Sequence, residues 1–172
     1  MSKNCVRPTN QLDGIANINL PTPTYNSSVL ADSTYFAHLK LLFASASHCA
    51  AFRDACILGR IWLRQRGFTS DVEFGGFGNF EWSALMAYLL KVTGAMGGSI
   101  LGGGYSNYQL FKATLQFLST RDLSKDPLFL NGSGEKIDGC EIPVLMDAEL
   151  GLNLLFKMSP WSYNMVIICY HA

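Results

Sequence analysis

From about Tyr25 onward, apolar residues recur at the three-to-four-residue spacing of a helix. Phe36, Leu39, Leu42 and Phe43 share one face of a first helix. The segment HCAAFRDACILGRIWLRQRGF (48–68) carries two adjacent apolar stripes: Ala51, Ala55, Leu58 and Trp62, beside Phe52, Cys56, Gly59 and Leu63. Two stripes side by side predict a central helix buried on most sides, with Gly59 letting a neighbour approach closely and Gly67 ending the helix. Only a narrow basic stripe, Arg53, Arg60 and Arg64, is left for water. A third helix is predicted from Asn79 as N-cap, with Glu81 in its first turn and Trp82, Leu85, Met86, Leu89 and Leu90 at core spacing. Ser106 and Gln109 form a capping box that opens a fourth helix through Leu110, Phe111, Leu115 and Leu118. A fifth starts at Ser159, with Pro160 in its first position.

Elsewhere the helical period breaks down. Residues 1–24, which include INLPTPT, predict an extended arm, because each proline disfavours helix at the residue before it. DPLFLNGSGEKIDGCEIPVLMD (126–147) holds two short apolar runs, PLFL and IPVLM, separated by glycine-rich polar residues, which suggests a small two-stranded element. VIICYHA (166–172) does not continue the helical pattern of SPWSYN, so a truncated or misread C-terminus is expected there. The expected fold is therefore mainly α (α+β), with an arm at 1–24, one helical module over 25–172 and a small β element.

Composition narrows the chemistry. The chain has 172 residues, 49% of them hydrophobic, which is enough for one real core. Thirteen basic and thirteen acidic residues cancel, so no overall field draws in nucleic acid or an anionic membrane, and any such contact must be a local patch. Five cysteines, Cys5, Cys49, Cys56, Cys140 and Cys169, are scattered without a C-x-x-C pair, which speaks against a disulfide framework or a zinc site and for a reducing compartment. The uncharged stretch from Val92 to Phe111 is too rich in glycine and polar residues to span a bilayer, so it predicts a loop and no membrane contact.

Three patterns imitate catalytic motifs. FGGFGNFEW (74–82) has a G-x-G before a helix, but Glu81 stands where a further glycine would be, and a carboxylate there would repel a phosphate. A packing turn is expected, with Glu81 neutralising the helix end itself. Gly132-Ser133 followed by Asp147 and Glu149 resembles the spacing of a nucleotidyltransferase, in which paired acids bind two metal ions. Gly134, Gly139 and Pro143 forbid the helix that this scheme needs, so Asp147 is expected to serve a turn or cap. His38, His48 and His171 lack a nucleophile elbow or a metal-spaced partner. No catalytic residue, cofactor, metal or small-molecule substrate is therefore expected. Arg53, Arg60, Arg64 and nearby Arg66 could grip a phosphate backbone, or they could form a solvated face paired with Asp54 and Asp71.

PTPTYNSSVL (21–30), FRDACILGRIWLRQRGF (52–68), GGFGNFEWSALMAYLL (75–90) and GLNLLFKMSPWSYN (151–164) together resemble the nucleolar RNA-associated protein (Nrap) family. The resemblance implies a helical module similar to the substrate-binding domain of poly(A) polymerase and oligoadenylate synthetase. It also implies degenerate catalytic acids, and a scaffold role in the small-subunit processome, in the nucleolus, on pre-ribosomal RNA. Family members are several times longer, so most contacts with RNA and processome proteins are expected through modules absent here. Two alternatives from other classes stay open: an active nucleotidyltransferase or its substrate-binding half, using Asp147 and Glu149, and an autonomous RNA-binding module using the four arginines.

Overall fold

The computed structural model describes residues 23–91, 100–130 and 142–171. Helices form where apolar residues are spaced by three and four: α1 (Pro23–His48), α2 (Phe52–Gln65), α3 (Asn79–Lys91), α4 (Asn107–Thr120) and α5 (Pro160–His171). A single 3-10 turn, Val72–Phe74, separates α2 from α3. Three short strands, β1 (Leu128–Leu130), β2 (Leu145–Asp147) and β3 (Leu152–Asn153), lie between α4 and α5. The class is mainly α with a small β element, as expected.

Two helix starts follow their sequence signals closely. Gln109 N–H donates to Ser106 Oγ at 3.3 Å and Ser106 N–H donates to Gln109 Oε1 at 2.8 Å, which closes the capping box of α4. At α5, Ser162 N–H donates to Ser159 Oγ at 3.1 Å and Ser159 N–H to Ser162 Oγ at 2.9 Å. The end of α5 departs from expectation, because the helix runs on through Val166–His171. The β-branched run Val166, Ile167, Ile168 has weak helix propensity, but Val166 is buried and Met165 and Ile167 pack on the core, so tertiary burial decides.

The central helix is α3 and not α2. Every residue from Glu81 to Leu90 is buried, and α3 packs against α1, α2 and α4. The helix α2 buries Phe52, Ala55, Gly59 and Leu63, yet shows Ile57 and Ile61 to solvent at 47% and 46% exposure beside its arginines. At the crossing of the two helices the Trp82 indole lies against the backbone of Gly59. A Cβ there would sit 2.1 Å from Trp82 Nε1, so only glycine admits the ring. Trp82 is fully buried, its N–H finds no acceptor among the described residues, and its ring leans on Phe111 at 5.7 Å. Cys49 is buried and Cys56 half-buried in the same core, and burial pushes the Cys56 thiol up, partly offset by a hydrogen bond with Ser83.

The sheet has one strand more than expected. β1 pairs in parallel with β2, Leu128 opposite Leu145, and β2 pairs antiparallel with β3, Met146 opposite Asn153. The strand β3 is too short to leave a periodic signal, and a buried side chain holds it in place. Asn153 Oδ1 accepts from the N–H groups of Leu145 (2.9 Å) and Leu155 (3.0 Å), while Nδ2 donates to Pro143 O at 3.1 Å.

The first helix is inverted. Pro23 and Thr24 open α1 inside the stretch expected as an arm, and residues 1–22 lie outside the described residues, as do Cys5 and Cys140. The face carrying Phe36 and Phe43 turns outward, at 77% and 70% exposure, whereas Ser27, His38 and Ser45 are buried. Small side chains such as Ser27 and Ser45 let α1 sit close to its neighbours, where aromatic rings would not fit. No single helix among the described residues is long and apolar enough to cross a membrane.

Two outcomes are expected. Gly59→Ala should lower stability by at least about 2 kcal/mol, read as a fall in the urea midpoint, because the added methyl must displace a buried indole. Tyr163 of α5 donates its phenol proton to Arg121 O and accepts from Leu123 N–H at 3.3 Å, and burial pushes its pKa up to about 12. The folded state thus favours the neutral phenol. Its contribution is intact below pH ~10, where the unfolded phenol also keeps its proton, and falls by roughly 3 kcal/mol as pH rises to ~12. Tyr163→Phe should flatten that alkaline decline in a pH series of chemical denaturation.

Candidate nucleic-acid interface

The glycine turn before α3 holds no empty cradle. Glu81 Oε2 accepts from Gly78 N–H at 2.9 Å and from Ser70 Oγ at 2.6 Å, and the side chain is buried. The carboxylate occupies the position at the helix N-terminus where an anion would bind. Gly78 is therefore the N-cap and Asn79 the first helical residue, one position earlier than the sequence suggested. The glycines serve packing. Gly75 and Gly76 have φ of +96° and +64°, and a Cβ on Gly76 would meet Lys157 O at 2.3 Å. Phe68 and Phe77 are buried beside this turn.

Asp147 and Glu149 do not form an acid pair. Asp147 ends β2, is 1% exposed, and its Oδ2 lies 3.3 Å from Nε2 of buried His38. Its Oδ1 accepts from the N–H groups of Glu149 and Leu150, both at 3.2 Å, so it serves a turn as expected. Glu149 points to solvent in that turn. Gly132 and Ser133 lie outside the described residues. Among the described residues no group of three or more His, Cys, Asp or Glu side chains could hold a metal ion.

The arginines divide into two kinds. Arg53, Arg60 and Arg64 stand exposed on the outer face of α2, seven and four residues apart. Pairing with Asp54 and Asp71 does not occur: among the described residues Lys125 pairs with Asp122 at 2.8 Å, and His38 Nε2 meets Asp147 Oδ2 at 3.3 Å. Asp71 instead takes a hydrogen bond from Thr69 Oγ1 at 3.1 Å. Arg60 and Arg64 open onto a small cleft of about 170 Å³, rimmed by Thr69, Ser70 and Asn79. Arg66 is also exposed, with its guanidinium over the Trp62 ring at 4.3 Å. Ile57 and Ile61, between the arginines, carry no weight in the sequence reading, although their i, i+4 spacing places them on the same outer face.

The helical bundle, the glycine turn and the spent acid agree with the family resemblance, and comparison with known proteins decides it. Residues 51–169 match the Nrap protein PAP/OAS-like domain. The chain belongs to the Nrap family. It is 37% identical over 181 aligned residues to the U3 small nucleolar RNA-associated protein 22 of Saccharomyces cerevisiae, covering 96% of this chain and 14% of that protein. The protein of the same name in Schizosaccharomyces pombe is 41% identical over 140 residues, or 80% of this chain and 13% of the relative. Human nucleolar protein 6 is 32% identical over 148 residues, or 84% and 12%. The Nrap chain thus spans about a seventh of the length of the relatives it matches. Its helix α1 precedes the Nrap domain match, yet an alignment over 96% of the chain leaves too few residues out to omit it.

Asp147→Ala should cost about 3 kcal/mol in unfolding free energy, because it strands the buried His38 ring nitrogen and takes the acceptor from two part-buried turn amides. Asp147→Asn, which keeps an acceptor for the amides, should cost clearly less. Denaturant titration of both variants checks the order.

Proposed function

We propose that this chain is a non-catalytic scaffold module of a nucleolar protein that acts in small-subunit pre-ribosome assembly and rRNA processing. Its relatives carry the names U3 small nucleolar RNA-associated protein 22 and nucleolar protein 6, which supports the nucleolar setting and pre-ribosomal RNA and processome proteins as partners. The engagement of Asp147 in a buried pair and a turn supports the absence of catalysis, since an acid so placed is withheld from any metal.

The observation that carries an RNA-facing role is the row Arg53, Arg60 and Arg64, exposed and without a carboxylate partner among the described residues. Guanidinium groups in that state gain counterion-release free energy on meeting phosphates and lose no existing ion pair. Arg66 extends the row, with Trp62 holding its guanidinium plane. The cleft beside Arg60 and Arg64, edged by Asn79, gives the backbone a place to seat.

Binding of the chain to structured RNA should weaken steeply with salt, and Arg60→Ala/Arg64→Ala should flatten the slope of log K against log salt by about 1 to 2. An unchanged slope removes these residues from the interface. Incubation with ATP or UTP, Mg²⁺ or Mn²⁺ and an RNA primer should give no extension. Extension that disappears in Asp147→Asn would establish the nucleotidyltransferase alternative instead.

A further inference from the structure

We propose that the cleft between α1, the start of α3 and β3 receives one unpaired base of the RNA strand held by the arginines of α2. This inference rests on the RNA contact proposed above. The cleft has a volume of about 440 Å³, within the range of ligand pockets, and one of the side chains lining it is His38, which is only 3% exposed. His38 Nε2 is spent on Asp147 Oδ2 at 3.3 Å. A carboxylate accepts, so Nε2 carries the proton and Nδ1 of the neutral ring is left as an acceptor. Nδ1 takes no hydrogen bond among the described residues. Trp82 Nε1 is the one unpartnered side-chain nitrogen or oxygen among them that is sealed from solvent, so Nδ1 keeps an opening, and the cleft provides it. A purely apolar occupant would strand this acceptor, whereas a ligand with an N–H at its edge would satisfy it.

The rest of the lining sets the class of ligand. Leu39, Phe80, Leu154 and Phe156 supply apolar walls, and the Phe80 ring meets the imidazole edge to face at 6.0 Å between centroids. Besides His38, the charge-bearing groups of the lining are Asp32 and Lys157, one of each sign. They favour a neutral group with donors and acceptors of its own over a net anion or cation. Flat apolar faces with polar atoms around the edge describe a nucleobase. Asn79 points to its source. It belongs to the wall of this cleft and also to the rim of the cleft of about 170 Å³ onto which Arg60 and Arg64 open. A strand with its phosphates at the arginines therefore has the second cleft beside it. The base must be unpaired to enter, because a paired base is stacked and spends its donor edge on its partner. An aromatic side chain of a protein has a similar flat shape, but it brings no charge for the arginines next door.

The test measures binding of the full chain to a short RNA single strand of mixed sequence, to the same strand annealed to its complement, and to the four nucleoside monophosphates. His38→Gln keeps a donor for Asp147 and removes the Nδ1 acceptor. Leu39→Trp fills the cleft from a wall position that is 37% exposed and touches neither member of the buried pair, so it decides alone if His38→Gln lowers the urea midpoint. Each variant should weaken binding of the single strand by about tenfold, leave duplex binding as it is, and keep the slope of log K against log salt, since a base carries no charge. Arg60→Ala/Arg64→Ala separates the two ways of failing. If it leaves that slope unchanged, the RNA reading falls and this inference falls with it. If it flattens the slope while Leu39→Trp binds the single strand as the native chain does, the inference alone falls, and the cleft belongs to another occupant such as a protein side chain. A monophosphate that binds as tightly as the strand would put a free nucleotide in the cleft and overturn the strand as its source.

Discussion

The Trp82 indole against the bare backbone of Gly59 is the contact on which the rest of the molecule is arranged. It sets the approach of α2 to α3, and α3 is then enclosed so completely that ten consecutive residues lose contact with water. Phe111 of α4 leans on the same ring, so α2, α3 and α4 meet at one point. The unpartnered indole N–H shows what decides here: burying the large ring outweighs the roughly 1 to 3 kcal/mol of leaving one donor dry. Around this centre α1 and α5 pack from the sides, and the sheet closes one end with its own polar fastening at Asn153.

A second theme is that charge is settled locally wherever it is buried. Glu81 closes the N-terminus of α3, and Asp147 closes a turn and meets His38. Each carboxylate accepts hydrogen bonds from the protein's own N–H groups. The arginine row of α2 stays outside, without a carboxylate partner among the described residues.

Much of the fold was legible because it rests on short-range signals. The capping box at Ser106, the Ser-Pro start of α5, the close-packing Gly59 and the role of Asp147 as a turn residue all follow from residues within a few positions of one another or from simple size. What was not legible depends on partners far apart in sequence. His38 and Asp147 lie 109 residues apart, so nothing local announces their pairing. The strand β3 is made by Asn153 reaching Leu145 and Pro143, and two residues leave no period to read. The face of α1 was misjudged because periodicity shows which residues share a side, and it does not show whether that side meets this core or something else; the two stripes of α2 do face inward, and only its place at the centre was taken by α3. The arginines were found by their spacing, whereas the exposed Ile57 and Ile61 among them look like any core residue until the helix is placed.

The pairing of His38 with Asp147 has a mechanical consequence for α1. The apolar side chains of α1 are spread around it among serines, so hydrophobic burial alone favours no one side, and the small Ser27 and Ser45 choose it together with this pair. One imidazole must point at one carboxylate, and the turn amides of Glu149 and Leu150 hold that carboxylate still, so the helix is keyed like a shaft in a slotted collar. The angular setting of the helix, and with it the set of side chains left on its outer face, is thus pinned by a polar pair in the interior.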